Sequence, residues 1–210
     1  MEKINAISLP FYKFKADDTL TLKIVDIVSN LNFTMDKNIE NGYSYHDFYD
    51  EELFAFFDNS VNQVKKIYYN DNLNFPIVDC WVNKYNKLNK LRGHTHSNAM
   101  ICGVFYLTSH EGEGSTIFEL TNPWYNQQLS NLSVHGNYSP LSGEIQAEAG
   151  TLILFPSNIP HTMKTLMKLS SPRYTIAFNT FATGTIGDQN TIRLSINVST
   201  VKDRVIGNKS

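Results

Sequence analysis

The sequence predicts a mainly β protein whose core is a double-stranded β-helix, the jelly-roll arrangement of cupins, supported by helices from the N-terminal part of the chain. Two observations carry this prediction. After residue 75 the chain consists of short apolar segments separated by turns, a pattern typical of sandwiches and barrels. In addition, histidines and an arginine stand at the ends of such segments, where a jelly-roll gathers functional side chains at one mouth.

Length and composition set the organisation of the chain. Its 210 residues are enough for one well-buried core. We therefore expect a single domain of residues 1–210, in which residues 1–74 form the helical support and residues 75–200 form the β core. The abundance of asparagine and the scarcity of alanine suggest an AT-rich coding sequence, such as that of a phage.

Several partners and locations are disfavoured by the sequence. A net charge of −2 provides no basic surface for nucleic acid or for an anionic membrane. No segment approaches the roughly 18 apolar residues of a membrane span, and the N-terminus lacks the pattern of a signal peptide. Cys80 and Cys102 are too few for a disulfide framework and are predicted to be reduced and buried. We expect a cytoplasmic protein.

Two helices are predicted in the first 74 residues, after a short extended segment within residues 1–15. Asp17 is a candidate N-cap for a helix with near-helical apolar spacing up to Val28. A loop is expected at Gly42–His46. The clearest helix begins at Asp50, and its apolar residues define one face that we expect to pack against a sheet. These residues are Leu53, Phe54, Phe57, Val61, Val64 and Tyr68.

Nine strands are predicted beyond residue 75. They are Pro76–Tyr85, Leu91–His96, Met100–Thr108, Thr116–Leu120, Glu144–Glu148, Thr151–Pro156, His161–Leu166, Arg173–Ala182 and Thr191–Ser199. The polar segment 121–142 is long for a hairpin connection. Loops of this length in a compact domain are usually functional lids or disordered segments.

His94 and His96 form the first candidate site. Residues at i and i+2 on a strand point to the same side and lie about 6.5–7 Å apart, so both imidazoles can reach one metal ion. His161 is the candidate third ligand from a distant strand. Iron(II), zinc and copper all accept imidazole, so the pattern alone leaves the metal open. The other histidines lie in polar segments and are expected to face solvent: His46, His110 and His135.

Several segments of the chain resemble the iron(II)- and 2-oxoglutarate-dependent oxygenases near the prolyl and aspartyl hydroxylases. These segments are His94-Thr-His-Ser-Asn with Gly103-Val-Phe-Tyr-Leu, Phe155-Pro-Ser-Asn-Ile-Pro-His161, and Arg173-Tyr-Thr-Ile-Ala-Phe-Asn179. The stretch Glu113-Gly-Ser-Thr-Ile-Phe118 is similar to a segment of prolyl hydroxylases. His161 stands 67 residues after His94 and 12 before Arg173, as in that superfamily. The resemblance covers roughly residues 75–185.

The resemblance implies that His94 and His161 bind iron(II). His96 stands where the superfamily usually has Asp or Glu, although aspartyl hydroxylases also lack that carboxylate. Three neutral imidazoles would leave the site with the full +2 charge of the metal, which dianionic 2-oxoglutarate would then neutralise. We expect His96 to bind the metal. The alternative is that His96 contacts the substrate and that water takes the ligand position.

The resemblance also assigns a cosubstrate site. Arg173 would bind the distal carboxylate of 2-oxoglutarate, because its planar fork of donors matches a planar acceptor. Thr175, two residues along the same strand, would add a hydroxyl group. Asn83 and Tyr85 are further candidate contacts of the cosubstrate, with ordinary packing as their alternative role.

The implied reaction hydroxylates a C–H bond with O2, while 2-oxoglutarate is oxidatively decarboxylated to succinate and CO2. A peptidyl residue such as proline is the first candidate substrate, and a small molecule is the second. Trp124 and Tyr125 are the expected lid. The oligomeric state is left open, with a homodimer as one candidate. Two other classes of protein remain: a cupin-like three-histidine metalloenzyme independent of 2-oxoglutarate, such as a thiol dioxygenase or an isomerase, and a non-catalytic β-sandwich binding or virion protein.

Overall fold

Short antiparallel strands dominate the computed structural model, which describes residues 10–37, 42–69, 72–86, 93–109, 114–120, 141–164, 169, 171–187 and 190–207. Within these ranges the chain forms thirteen strands and three helices, so the mainly β prediction is confirmed. In chain order they are β1 (Tyr12–Lys15), α1 (Asp18–Ser29), β2 (Thr34–Met35), β3 (Gly42–His46), α2 (Glu51–Tyr68), β4 (Leu73–Asn74), β5 (Ile77–Tyr85), β6 (Ile101–Tyr106), β7 (Thr116–Leu120), β8 (Leu141–Ile145), β9 (Thr151–Pro156), β10 (His161–Met163), β11 (Arg173–Thr180), β12 (Thr183–Ile186), β13 (Leu194–Ile196) and α3 (Val201–Gly207).

A seven-stranded antiparallel sheet organises the molecule. Its strand order is β1-β9-β6-β11-β5-β3-β2, so that β11 lies at the centre although it is late in the chain. A second sheet has the order β10-β7-β8, and a third has the order β13-β12-β4. The pairing of β11 with β5 places Arg173 opposite Tyr85 and Thr175 opposite Asn83. Directly opposed residues share a face of the sheet, so these four side chains lie on one face.

Two helices cover the other face of the large sheet. The Asp17 carboxylate accepts a hydrogen bond from the Thr19 amide at the start of α1, and the Asp50 carboxylate accepts one from the Leu53 amide at the start of α2. The N-cap predicted at Asp17-Asp18 is therefore Asp17, and Asp50, where the second helix was predicted to begin, is the N-cap of α2. The buried face of α2 packs on the sheet as expected, with the Phe57 ring 4.6 Å from the ring of Phe178 on β11, but Tyr68, which was predicted to belong to this face, is 51% exposed.

The prediction of a loop at Gly42–His46 was wrong. This segment is β3, and it pairs with β5 from Gly42 opposite Tyr85 to His46 opposite Trp81. Ser44 and His46 share one face of this strand, where Ser44 is buried and His46, at the end of the strand, is exposed. Together with β1, which pairs with β9, this strand means that residues before 74 supply strands to the main sheet as well as helices.

Other boundaries also differ from the prediction. A strand over Leu91–His96 is not formed in its described part: His94 makes one isolated bridge with His161, and the His96 amide turns to donate to the carbonyl of Ser157. The strand predicted at Glu144–Glu148 occurs earlier, as β8, so that residues 141 and 142 belong to a strand and not to the predicted loop. Residues 121–140 of that loop lie outside the described residues.

Gly103 on β6 is directly opposite Phe178 on β11. A Cβ atom at position 103 would lie 2.3 Å from two ring atoms of Phe178, which is itself packed under α2. We expect Gly103→Ala to lower the free energy of unfolding by about 1–3 kcal/mol, because a well-packed core resists an added carbon. Urea unfolding measures this change. Gly143→Ala is the matched control, since its added Cβ would meet nothing within 4 Å; equal losses in both variants would contradict the prediction.

Candidate metal and cosubstrate site

A cavity of about 480 Å³ opens beside the large sheet and reaches β10 of the second sheet. Alternate residues of β5 and β11 line it, because side chains on a strand alternate between the two faces of the sheet. The lining residues on these two strands are Asp79, Trp81, Asn83, Tyr85, Arg173, Thr175, Ala177 and Asn179. The three predicted metal ligands lie in the same cavity.

His94, His96 and His161 converge on one point, with candidate ligand atoms that all lie within 4.8 Å of one another. The backbone positions two of them: the amides and carbonyls of His94 and His161 exchange two hydrogen bonds of 3.1 and 3.0 Å. The Nε2 atoms of His96 and His161 are 3.2 Å apart. The structure therefore brings together the three residues that the sequence singled out, although the regular strand expected for His94 and His96 is missing.

Hydrogen bonds orient two of the three rings. His161 Nδ1 is 3.0 Å from the carbonyl oxygen of Ile159. Since a carbonyl only accepts, this contact places the proton on Nδ1 and leaves the Nε2 lone pair facing the cavity, the usual arrangement of a histidine that binds a metal. His96 bonds to the Asn179 side chain, whose Oδ1 also accepts a bond of 3.1 Å from the Cys102 thiol.

Asn179 was not predicted as a site residue. The alternation of β11 contained the signal, because Arg173 and Asn179 are six residues apart and so share one face of the strand. Cys102 fits its prediction, since it is buried and not bonded to Cys80. Burial raises the pKa of the Cys102 thiol to about 12, so this side chain remains a protonated donor towards Asn179.

Two of the histidines are held in the neutral form. Burial, with a smaller contribution from the neighbouring imidazoles, lowers the pKa of His96 to about 4. Burial also lowers the pKa of His161 to about 4, although its bond to Ile159 acts in the opposite direction. Only a neutral imidazole has a lone pair for a metal. Both side chains are therefore ready to bind a cation at neutral pH.

These shifts predict how acid acts on the metal-free protein. We expect stability to fall as the pH drops from 6.5 to about 4, because the unfolded state then binds protons that folded His96 and His161 exclude. The loss should be absent above this window and complete below it. Urea unfolding at several pH values measures it, and His161→Gln should show a shallower dependence. Parallel curves for the variant and the unchanged protein would contradict this assignment.

Arg173 lies at the other end of the cavity and is 2% exposed. Its Nη2 donates to the carbonyl of Gly114 at 2.6 Å, its Nη1 contacts the sulfur of Met163 at 2.8 Å, and its Nε has no hydrogen-bond partner. None of the ion pairs in the described part of the chain includes Arg173. Burial lowers the pKa of its guanidinium. A buried cation without a counter-ion is costly, so this end of the cavity fits an anion.

The other predicted cosubstrate residues surround Arg173. Thr175 and Asn83 are buried and face each other across β11 and β5. The Tyr85 ring lies 5.0 Å from the Arg173 guanidinium carbon, and its hydroxyl bonds to Thr175 and Arg173. Asn83 Oδ1 has no partner. All four predicted residues thus lie on one buried patch. The predicted lid residues, Trp124 and Tyr125, lie outside the described residues.

The fold and the site define a class: a β protein in which three converging imidazoles could hold one metal ion and a buried arginine fits an anion. Residues 79–179 match the family described as 2OG-Fe(II) oxygenase. This segment contains both the metal cluster, which is the three converging histidines, and the cosubstrate cluster, which is the four predicted cosubstrate residues. Over these residues the sequence identifies the chain as a 2-oxoglutarate-dependent iron(II) oxygenase. The three converging histidines fit iron(II), and the buried guanidinium, which has no carboxylate partner among the described residues, fits the anionic 2-oxoglutarate.

Solved structures share the fold, which confirms the jelly-roll prediction. HygX from Streptomyces hygroscopicus, with nickel, 2-oxoglutarate and hygromycin B bound, has a TM-score of 0.60 and 11% identity over 93% of this chain and 95% of its own. A prolyl-4-hydroxylase from Pseudomonas putida has a TM-score of 0.57 and 12% identity over 83% and 94%. A Trichoplax adhaerens prolyl hydroxylase, in complex with a hypoxia inducible factor peptide, has a TM-score of 0.56 and 14% identity over 81% and 83%.

Two further comparisons complete the description. No curated protein sequence matches this chain. Within the described ranges, none of the helices is both long enough and apolar enough to cross a membrane.

Proposed function

We propose that the protein hydroxylates an unactivated C–H bond of a peptidyl residue, with proline as the first candidate, and releases succinate and CO2. The observation that carries this proposal is that the buried Arg173, which has no carboxylate partner among the described residues, lines the same cavity as three converging imidazoles. Iron(II) and 2-oxoglutarate, when bound, would supply the electrons with which O2 becomes an oxidant of the C–H bond. The protein contributes ligands, charge and a shielded cavity.

Each cluster has a distinct task in this proposal. His94, His96 and His161 hold the metal without adding charge, so the +2 of the ion is balanced by the dianionic cosubstrate. Arg173 and Thr175 bind the carboxylate of 2-oxoglutarate that lies away from the metal, with Asn83 and Tyr85 beside them. A charge-assisted bond in a buried site is stronger and more directional than one in water. This end of the cavity therefore fixes which way the cosubstrate points.

The substrate assignment has independent support from the comparisons. Two of the similar structures are prolyl hydroxylases, and one of them holds a peptide. HygX holds hygromycin B, so a small-molecule substrate is the second candidate. Trp124 and Tyr125 are proposed to cover the bound substrate.

Anaerobic titration tests the core of the proposal. The protein is loaded with iron(II) and titrated with 2-oxoglutarate, while the visible metal-to-ligand charge-transfer absorption is followed. We expect a saturable band. A protein that binds iron(II) but gives no band would contradict the assignment of the cosubstrate. Mass spectrometry then compares an oligoproline peptide with its alanine counterpart, and only the proline peptide should gain an oxygen atom. Oxidation of neither peptide would remove proline as the substrate.

A further inference from the structure

Arg173 and Asp79 carry opposite charges at different places along the cavity, which Asp36 also lines near Tyr85. Asp79 and Tyr85 both line it from β5, and six residues of extended strand separate them by about 20 Å. Arg173 is opposite Tyr85, whereas Asp79 is opposite Asn179. The carboxylate of Asp79 is therefore too far from Arg173 to neutralise it. If the Arg173 end takes the anionic cosubstrate, then the Asp79 end remains for the substrate.

Asp79 is half-buried and takes part in none of the ion pairs in the described residues. The charged or titratable groups closest to it are His46, Arg204 and Asp47. The Arg204 guanidinium is already engaged, because it donates to Asp47 at 2.7 Å and to the carbonyl of Val78 at 2.9 Å. His46 and Arg204 act on Asp79 through space but form no ion pair with it among the described residues, so this half-buried carboxylate can still accept a cationic ligand from the cavity.

Two residues near Asp79 on β5, Trp81 and Asn83, also favour a ligand that is cationic or donates hydrogen bonds. Asn83 is 7% exposed, and its Oδ1 has no donor although it lines the cavity. Ionised 2-oxoglutarate has only acceptor oxygens and cannot supply that donor. Between these residues, the half-buried Trp81 lines the cavity and stacks near the His96 ring at 5.8 Å. An indole face attracts cations. Asp79 and Asn83 therefore present acceptor oxygens along one strand, with the cation-attracting face of Trp81 between them. We call these three residues the acceptor surface.

This acceptor surface lies beside the metal site. Asn179 is opposite Asp79 in the sheet and bonds to His96, so a ligand of Asp79 would sit next to the oxidising centre. We propose that the substrate carries a protonated amine close to the carbon that is hydroxylated, with Asp79 as its counter-ion. This inference rests on the proposed function and narrows its substrate class. A lysine next to the oxidised residue of a peptide, or a free alkyl amine, supplies the required chemistry.

Calorimetric titration tests this proposal on the protein loaded with nickel(II) and 2-oxoglutarate. The probes are three capped peptides of the form Gly-Pro-X, in which X is lysine, norleucine or glutamate, together with n-butylammonium. We expect the lysine peptide to bind about tenfold or more tightly than the norleucine peptide, which is the effect of one hydrogen bond to a charged group. A lysine peptide that outbinds n-butylammonium indicates a peptide substrate, and the reverse order indicates a small amine.

Variants of Asp79 and of a second carboxylate distinguish a direct contact between Asp79 and the amine from a general effect of negative charge. Asp79→Asn should reduce the preference for lysine to less than twofold, and Asp79→Glu should retain part of it. Asp58→Asn is the matched control, because it removes the same charge at a position that does not line the cavity and takes part in none of the ion pairs of the described residues. Equal affinities for the three peptides, no binding of either cation, or a preference that survives Asp79→Asn would overturn the proposal. Binding of 2-oxoglutarate to the same samples is measured separately, so failure of the proposed function is distinguished from failure of the substrate class.

Discussion

Replacing Arg173 with methionine should abolish binding of 2-oxoglutarate and leave metal binding intact. Methionine fills much of the same space but has no positive charge and no donors. Loss of one member of a buried, hydrogen-bonded charge pair costs about 2–5 kcal/mol, so we expect the affinity for 2-oxoglutarate to fall by about a hundredfold or more. The charge-transfer band of the iron(II) protein measures this affinity. Nickel(II) binding, measured by calorimetry, should be unchanged because His94, His96 and His161 are retained.

Arg173→Met should not destabilise the protein when neither metal nor cosubstrate is bound. The Arg173 guanidinium is buried with no carboxylate partner among the described residues, and replacing a buried charge with an apolar side chain is often neutral or stabilising. The apparent Tm of the metal-free variant should therefore equal or exceed that of the unchanged protein. Arg204→Gln is the control, because it removes an arginine that contacts Asp47 at the surface. Its Tm shows the effect of losing an arginine outside the cavity. A metal-free variant that is clearly destabilised, or one that keeps its affinity for 2-oxoglutarate, would contradict the role assigned to Arg173.

Replacing a metal ligand should have the second large effect. We expect His161→Gln to weaken nickel(II) binding by on the order of a hundredfold, because the free energy of a three- or four-ligand site is shared among few donors. His96→Asp should retain the metal, since a carboxylate is also a good ligand. It should weaken 2-oxoglutarate binding, because the complex with the dianion would then be negatively charged instead of neutral. Calorimetry with nickel(II), followed by 2-oxoglutarate, measures both effects.

His46→Gln is the matched control for these variants. The His46 ring is exposed and contacts Ser44, and it is not part of the converging trio. Its replacement should leave the affinity for nickel(II) unchanged. If His96→Asp binds metal as poorly as His161→Gln, then position 96 does not tolerate a carboxylate ligand. If His96→Asp has no effect on either affinity, then His96 does not bind the metal.

The sequence predicted those parts of the site that depend on local pattern and spacing. The alternation of residues along β11 predicted that Arg173 and Thr175 share a face, and the N-caps at Asp17 and Asp50 marked both long helices correctly. Family resemblance connected His94 with the distant His161. These predictions succeeded because each rests on the geometry of one element or on a spacing that many related chains share.

Features that depend on long-range pairing were missed. The segment Gly42–His46 has turn-forming residues and becomes a strand only because β5 provides a partner for it. Conversely, the segment around His94 resembles a strand but makes only one bridge, because the His96 amide bonds to Ser157 instead. The contact between Gly114 and Arg173 also escaped prediction. No local pattern in the sequence specifies which distant backbone group will accept a bond from a buried guanidinium.

The central position of β11 has a consequence for the order in which the protein can assemble. β11 is hydrogen-bonded to both β5 and β6, so within the described part of the chain the two sides of the large sheet pair with each other only through residues 173–180. A ribosome-bound chain that has not yet released this segment has the iron ligands but lacks the strand that connects the sheet. Sheets that depend on such distant pairing fold slowly and expose unpaired edges meanwhile. Folding of the large sheet must therefore wait until residues 173–180 have left the ribosome, and cofactor loading must follow it.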